Sequence, residues 1–236
     1  MGLTIHYHLR SDAAGPERAR QQMEQLRQAA LDLALLEVGE IVEFSGAACD
    51  FETCQDDLCC WLLIQARQLI SIGETYHLVK PTHVIAFSTW PGEGCESANF
   101  GLAQYPNTVE SKNGTLATGL DGWSWQSFCK TQYAGNPSIG GMANFVRCHV
   151  TVVRLLDYAK TIGILESVKD EGHFWENRDV QALVETVGQW NSSIAGLVGQ
   201  FKDQLGRDIV APITEYSNFE HLEADGRKNE ERDSHP

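Results

Sequence analysis

His6 and His8 stand two apart in "LTIHYHL", so on a strand both imidazoles point to one side, as a pair of metal ligands does. Asp50, Glu52 or His83 could complete such a site, and the chemistry would be that of a metal-dependent enzyme. The plainer reading is two histidines making ordinary hydrogen bonds on a half-open face. "PGEGCESANFG", residues 91–101, sets Cys95 between Glu93 and Glu96 in a glycine-rich turn. A nucleophilic cysteine needs its thiolate stabilised by a cation or a helix N-terminus. Flanking carboxylates act the other way, so Cys95 is expected to be a small side chain in a tight turn.

The remaining clusters favour structure over chemistry. Cysteines 49, 54, 59 and 60 lack the paired spacing of a structural zinc site, and Cys59 and Cys60 open an apolar helix. Cys148 and His149 fall on the helical stripe Phe145, Val152, Leu155, Leu156, Ala159, which predicts burial. "KDEGHFWENRD" (169–179) gathers carboxylates around His173 and could supply an acid or a base. A hairpin turn, a short strand and an acidic helix start account for it more simply. No nucleotide-binding glycine signature, phosphate loop or Ser-His-Asp order is present.

The elements that must position these residues follow from periodicity. Strands are predicted at 3–9, 40–44, 82–90, 97–105, 122–133, 164–168, 172–176 and 208–216, with a possible short one at 49–52. Helices are predicted at 15–39, 56–73, 140–163 and 178–206. Each half then reads strand, helix, strand, strand, helix, strand, and weak echoes such as "CDFE" against "HFWE" recur about 120 residues apart. That order predicts an α+β fold of two tandem ferredoxin-like (β-α-β-β-α-β) modules related by internal duplication, with antiparallel sheets and helices on one face. The modules are expected at 1–108 and 122–224, joined by a linker at 109–121, with a disordered charged tail at 225–236.

The chain has 236 residues, 42% hydrophobic and 21% charged, with a net charge of −14. That charge repels polyanions, so neither nucleic acid nor an anionic membrane is an expected partner. No apolar run reaches the ~20 residues of a membrane span, and "MGLTIHYHL" lacks the basic and apolar regions of a signal peptide, so a cytoplasmic protein is expected. Seven cysteines, an odd number, are expected as reduced thiols. The leading expectation is a ligand- or protein-binding, regulatory protein that uses the seam between the modules. Its expected ligand-binding residues are Trp90, Glu93, Cys95, Glu96, Trp123, Trp125, His173 and Glu176. The alternative is the metal-dependent enzyme at His6, His8, His83 and Glu52. The sequence identifies no cofactor, and the partner is a small molecule or a protein.

Overall fold

A computed structural model describes residues 3–72, 75–111, 114–206 and 209–233. In chain order they form β1 (Thr4–Ser11), α1 (Pro16–Leu31), β2 (Glu37–Val38), β3 (Val42–Ser45) and α2 (Asp57–Gln65). There follow β4 (Gln68–Ile72), β5 (Thr75–Val79), β6 (His83–Trp90), β7 (Ala98–Gln104), β8 (Thr108–Ser111) and β9 (Gly114–Ala117). The remainder is β10 (Trp123–Lys130), α3 (Gly141–Thr161), β11 (Leu165–Asp170), α4 (Phe174–Asn177), α5 (Val180–Leu205) and α6 (Phe219–Asp233). The fold is α+β with antiparallel pairing throughout the described strands.

One sheet runs β11-β1-β10-β7-β6-β2, with β3 also paired to β6. Strands expected in separate modules are therefore neighbours: β1 lies between β10 and β11, with Leu9 opposite Trp125 and Tyr7 opposite Val168. In place of one sheet per module, a single seven-stranded sheet takes strands from both expected modules, beside the separate hairpins β4–β5 and β8–β9.

Burial explains the layering. Along β1, Ile5, Tyr7 and Leu9 are buried, while His6 and Arg10 are exposed. This is the period-2 pattern of a strand with one wet face. Val84–Phe87 of β6 and all of β7 up to Ala103 are buried without alternation, which requires cover on both faces. α1 packs on β6 and β7, α2 packs on β6, and α3 packs on α1 and β11. Phe100, stacked between Tyr7 and Phe87, marks the centre of the core.

Several expected elements take another form. α1 ends at Leu31 rather than at Gly39, because the backbone N–H groups of Leu36 and Gly39 pair with Trp90 and Ser88 of β6 instead. The helix expected at 56–73 stops at Gln65, and "QLISI" pairs with β5 as a hairpin. Its β-branched alternation prevails over helix continuation. The short strand expected at 49–52 is replaced by 3-10 turns at Gly46–Cys49 and Phe51–Thr53, and the linker expected at 109–121 overlaps β8 and β9, its residues 112–113 lying outside the described ones. The strand expected at 172–176 gives way to α4, and that expected at 208–216, whose residue 208 is outside the described ones, to a 3-10 helix at Pro212–Glu215. Of the tail expected to be disordered, 225–233 is the end of α6, which packs along α5, and 234–236 lies outside the described residues. Among the described residues no helix is long and apolar enough to cross a membrane.

Candidate functional site

A cavity of about 580 Å³ opens between α2, the loop after β6, and strands β7 and β10. α2 contributes Trp61 and Gln65. The helix is capped by Asp56, whose carboxylate accepts from the Cys59 backbone N–H and stabilises the first turn. Trp61 is 55% exposed, a large aromatic face held at the rim. Trp90 closes the end of β6, and Phe128 of β10 supplies a third ring.

The loop 91–97 adds Cys95, Glu96 and Ser97 to the wall. It is fastened from three sides. The Trp90 indole N–H donates to the Cys95 carbonyl at 3.2 Å, and the Glu96 N–H donates to the Lys130 carbonyl at 2.9 Å. The Asn144 side-chain amide donates to the carbonyls of Glu93 and Ala134 at 3.0 and 3.1 Å. Gly94 has φ +79, and a Cβ there would come within 2.5 Å of the Tyr133 carbonyl oxygen. Gly94→Ala is therefore expected to cost about 1–3 kcal/mol through backbone strain and to release the loop. Thermal denaturation checks this, and an unchanged midpoint would show that the loop tolerates the side chain.

The floor is polar. Asn99, 2% exposed, donates through Nδ2 to Gln65 Oε1 at 2.8 Å, and Gln65 Nε2 donates to Ser127 Oγ at 2.6 Å. The Asn99 backbone carbonyl accepts from the Tyr7 hydroxyl at 2.8 Å and from the Trp125 indole N–H at 2.9 Å. Burial pushes the Tyr7 phenol well above its ordinary range, so it remains a protonated donor. With its amide and carbonyl so engaged, Asn99 is held in one orientation. Its Oδ1 is buried and has no hydrogen-bond donor among the described residues. An acceptor left in this state costs about 1–3 kcal/mol.

Of the residues expected to bind a ligand, the cavity brings together Trp90, Cys95 and Glu96. Glu93 lies in the same loop but is exposed, and only its carbonyl is engaged. Trp123 is fully buried, edge-on to His83, and Trp125 is a core residue beneath Asn99. His173 and Glu176 are exposed at α4 and line no part of the cavity. Trp61, Gln65, Asn99 and Phe128 were not singled out from the sequence. Asn99 had a legible signal, a polar residue inside the apolar run "SANFGLAQY".

The expected metal ligands are dispersed. His6 and His8 do share the open face of β1 and a groove of about 380 Å³, where they meet Glu171 at 3.8 Å and Glu166 at 2.7 Å. His83 is on β6, three strands from β1 and hence about 14 Å away at the usual strand spacing. It pairs with Glu43 at 2.6 Å, and Glu43 also meets Arg20. Asp50 is bound to Lys80, and Glu52 is exposed in a 3-10 turn. Among the described residues no three His, Cys, Asp or Glu side chains form a group able to hold a metal ion.

Of the polar cluster at 169–179, Asp170 joins His149 in one buried network. His149 Nε2 meets Asp170 Oδ2 at 3.0 Å, and its Nδ1 meets Thr131 Oγ1 at 2.9 Å, with the imidazole and carboxylate fully buried. Asp170 also accepts from the backbone N–H groups of Gly172 and Trp175 at 2.8 and 2.9 Å. Burial alone would raise this carboxyl. The bonds from His149 and the two N–H groups outweigh it and hold the carboxyl below its usual value. Both imidazole nitrogens are engaged, so the network fastens α3 to the end of β11 and the start of α4.

No protein-family model matches the chain, and comparison with curated proteins and with solved structures finds no match either.

Proposed function

We propose that the protein binds a small, flat molecule carrying an N–H donor, held in the cavity between α2, the 91–97 loop and β7–β10. The observation that carries this reading is the unsatisfied Asn99 Oδ1 at the floor of an aromatic-walled cavity. Such a site has the composition of a small-molecule pocket, mostly apolar with a few fixed polar groups. Trp61, Trp90 and Phe128 offer faces for a planar ring, and Asn99 and Glu96 offer acceptors. The net charge of −14 favours a cation over an anion. A seam between duplicated modules is not part of this reading, because the cavity is bounded by α2, β6, β7 and β10 of one sheet and its cover.

Titration with tryptamine, followed by indole and side-chain amide resonances in nitrogen-15 NMR, tests the proposal. Trp61, Trp90, Gln65 and Asn99 should shift together, and the matched anion indole-3-acetate should bind more weakly. Trp61→Ala, at an exposed position that leaves the core intact, should weaken tryptamine binding about tenfold. Asn99→Ala should weaken it by a similar factor, about tenfold, through loss of the buried acceptor. Shifts scattered over the surface, or equal binding by wild type and Trp61→Ala, would remove the reading.

A further inference from the structure

A second, smaller compartment of about 160 Å³ adjoins the cavity and shares Trp90 and Ser97 with it. Glu37, Gly39, Leu58 and Ser88 form most of the remaining wall. Strand register shows why the two spaces belong together. Ser88 of β6 lies opposite Asn99 of β7, and Trp90, two residues on, lies opposite Glu37 of β2. Paired residues, and residues two apart on a strand, point to the same side of a sheet. Asn99, Ser88, Trp90 and Glu37 therefore share one face, while Phe87 and Phe100 take the other and stack in the core.

α2 covers that shared face along its length. Leu58, Trp61 and Gln65 are spaced i, i+3 and i+7, which places them on one side of the helix. Leu58 lines the small compartment, and Trp61 and Gln65 line the cavity. The two spaces are successive parts of one trough under α2, about 10 Å from Leu58 to Gln65 at the usual helical rise. Trp90 stands at the step between them.

The ends of the trough differ in chemistry. At the cavity end Asn99 Oδ1 lacks a donor, and the Glu96 carboxylate is already paired with Lys130 at 3.3 Å. At the other end Glu37 is exposed, and its carboxylate has no ion pair or hydrogen bond among the described residues. Arg27 reaches this end but donates to the Gly39 carbonyl at 2.7 Å and pairs with Glu40 at 2.6 Å instead. A cation entering the small compartment meets an uncompensated carboxylate.

Resting on the cavity reading above, we infer that the ligand is an arylalkylamine, with its ring between Trp61 and Phe128 and its ammonium group in the small compartment against Glu37. Asn99 and Glu37 stand two strand spacings apart, about 10 Å between backbones. A ring with a short alkylamine arm spans what the two side chains leave of that distance. The aromatic walls and the Asn99 acceptor hold the ring. Glu37 distinguishes an amine from its neutral analogue through a charge-assisted hydrogen bond, and the Ser88 and Ser97 hydroxyls offer acceptors to the remaining ammonium protons.

The experiment compares tryptamine with tryptophol, in which a neutral hydroxyl replaces the ammonium group, on the full chain at neutral pH by calorimetry and nitrogen-15 NMR. Wild type should hold tryptamine about tenfold more tightly than tryptophol, and both should shift the Trp61 indole and the Asn99 side-chain amide. Tryptamine should shift the Glu37 and Ser88 backbone amides further than tryptophol does. In Glu37→Gln, at an exposed position, the preference for the amine should fall to parity. Equal binding of the two molecules by wild type would overturn the assignment, as would a preference kept in Glu37→Gln and lost in Glu96→Gln. In both of those cases, shifted Trp61 and Asn99 resonances would leave the cavity reading standing. With no shift at Trp61 or Asn99 from either molecule, the cavity reading and this inference fall together.

Discussion

Replacing Asp170 by alanine is expected to lower the stability of the protein by about 3–5 kcal/mol, because it removes one partner of a fully buried His–Asp pair. The Gly172 and Trp175 N–H groups lose their acceptor at the same time. Urea denaturation at neutral pH measures the loss, and a change under about 1 kcal/mol would place the pair among energetically idle contacts. The pH dependence has a definite sign. The folded value of Asp170 lies below its ordinary one, so its contribution is fully present above about pH 4 and is lost as pH falls through the folded value. The acid limb of the wild-type stability profile should contain this component, and the Asp170→Ala profile should lack it.

Trp125→Ala is expected to cost a similar amount, about 3–5 kcal/mol, since the indole is fully buried at the centre of the sheet. The loss should extend to the cavity, because the indole N–H helps hold the Asn99 carbonyl. Trp125→Phe separates the two effects. It keeps most of the apolar volume and leaves the Tyr7 hydroxyl on that carbonyl, so the loss should be about 1 kcal/mol. Equal losses in the two variants, read by urea denaturation, would show that the hydrogen bond and not the packing dominates.

Element type was legible wherever one periodicity ran unopposed. The alternation of Ile5, Tyr7 and Leu9, the run "HVIAF" and the stripe through Phe145, Cys148 and Val152 all form the elements they predict. Sheet order was not legible, because nothing local in "LTIHYHL" says that β10 and β11 will flank it. The expectations also failed where tertiary pairing competes with local pattern: Leu33 and Leu36 extend the apolar stripe of α1, yet the Leu36 backbone N–H pairs with Trp90 of β6.

The site was partly legible for a related reason. The turn at 91–97 and Trp90 were visible as a cluster within a few residues. Trp61, Asn99 and Phe128 come from three distant elements and are joined only by the fold. The causes that push the Cys95 thiol up, Cys148 on α3 and burial, lie outside the local sequence, so the flanking glutamates were the only charges in view. A buried polar residue inside an apolar strand, as Asn99 is, was the one local mark of the cavity floor.

The proposed binding site requires that Asn99 Oδ1 take its hydrogen-bond donor from a bound molecule. The most direct measurement is a crystal structure of the protein saturated with tryptamine. The indole should lie between Trp61 and Phe128, with one N–H within the usual ~2.7–3.2 Å of Asn99 Oδ1. An unchanged cavity at saturating tryptamine, with the molecule bound elsewhere or with Asn99 Oδ1 satisfied by a protein group, would contradict it.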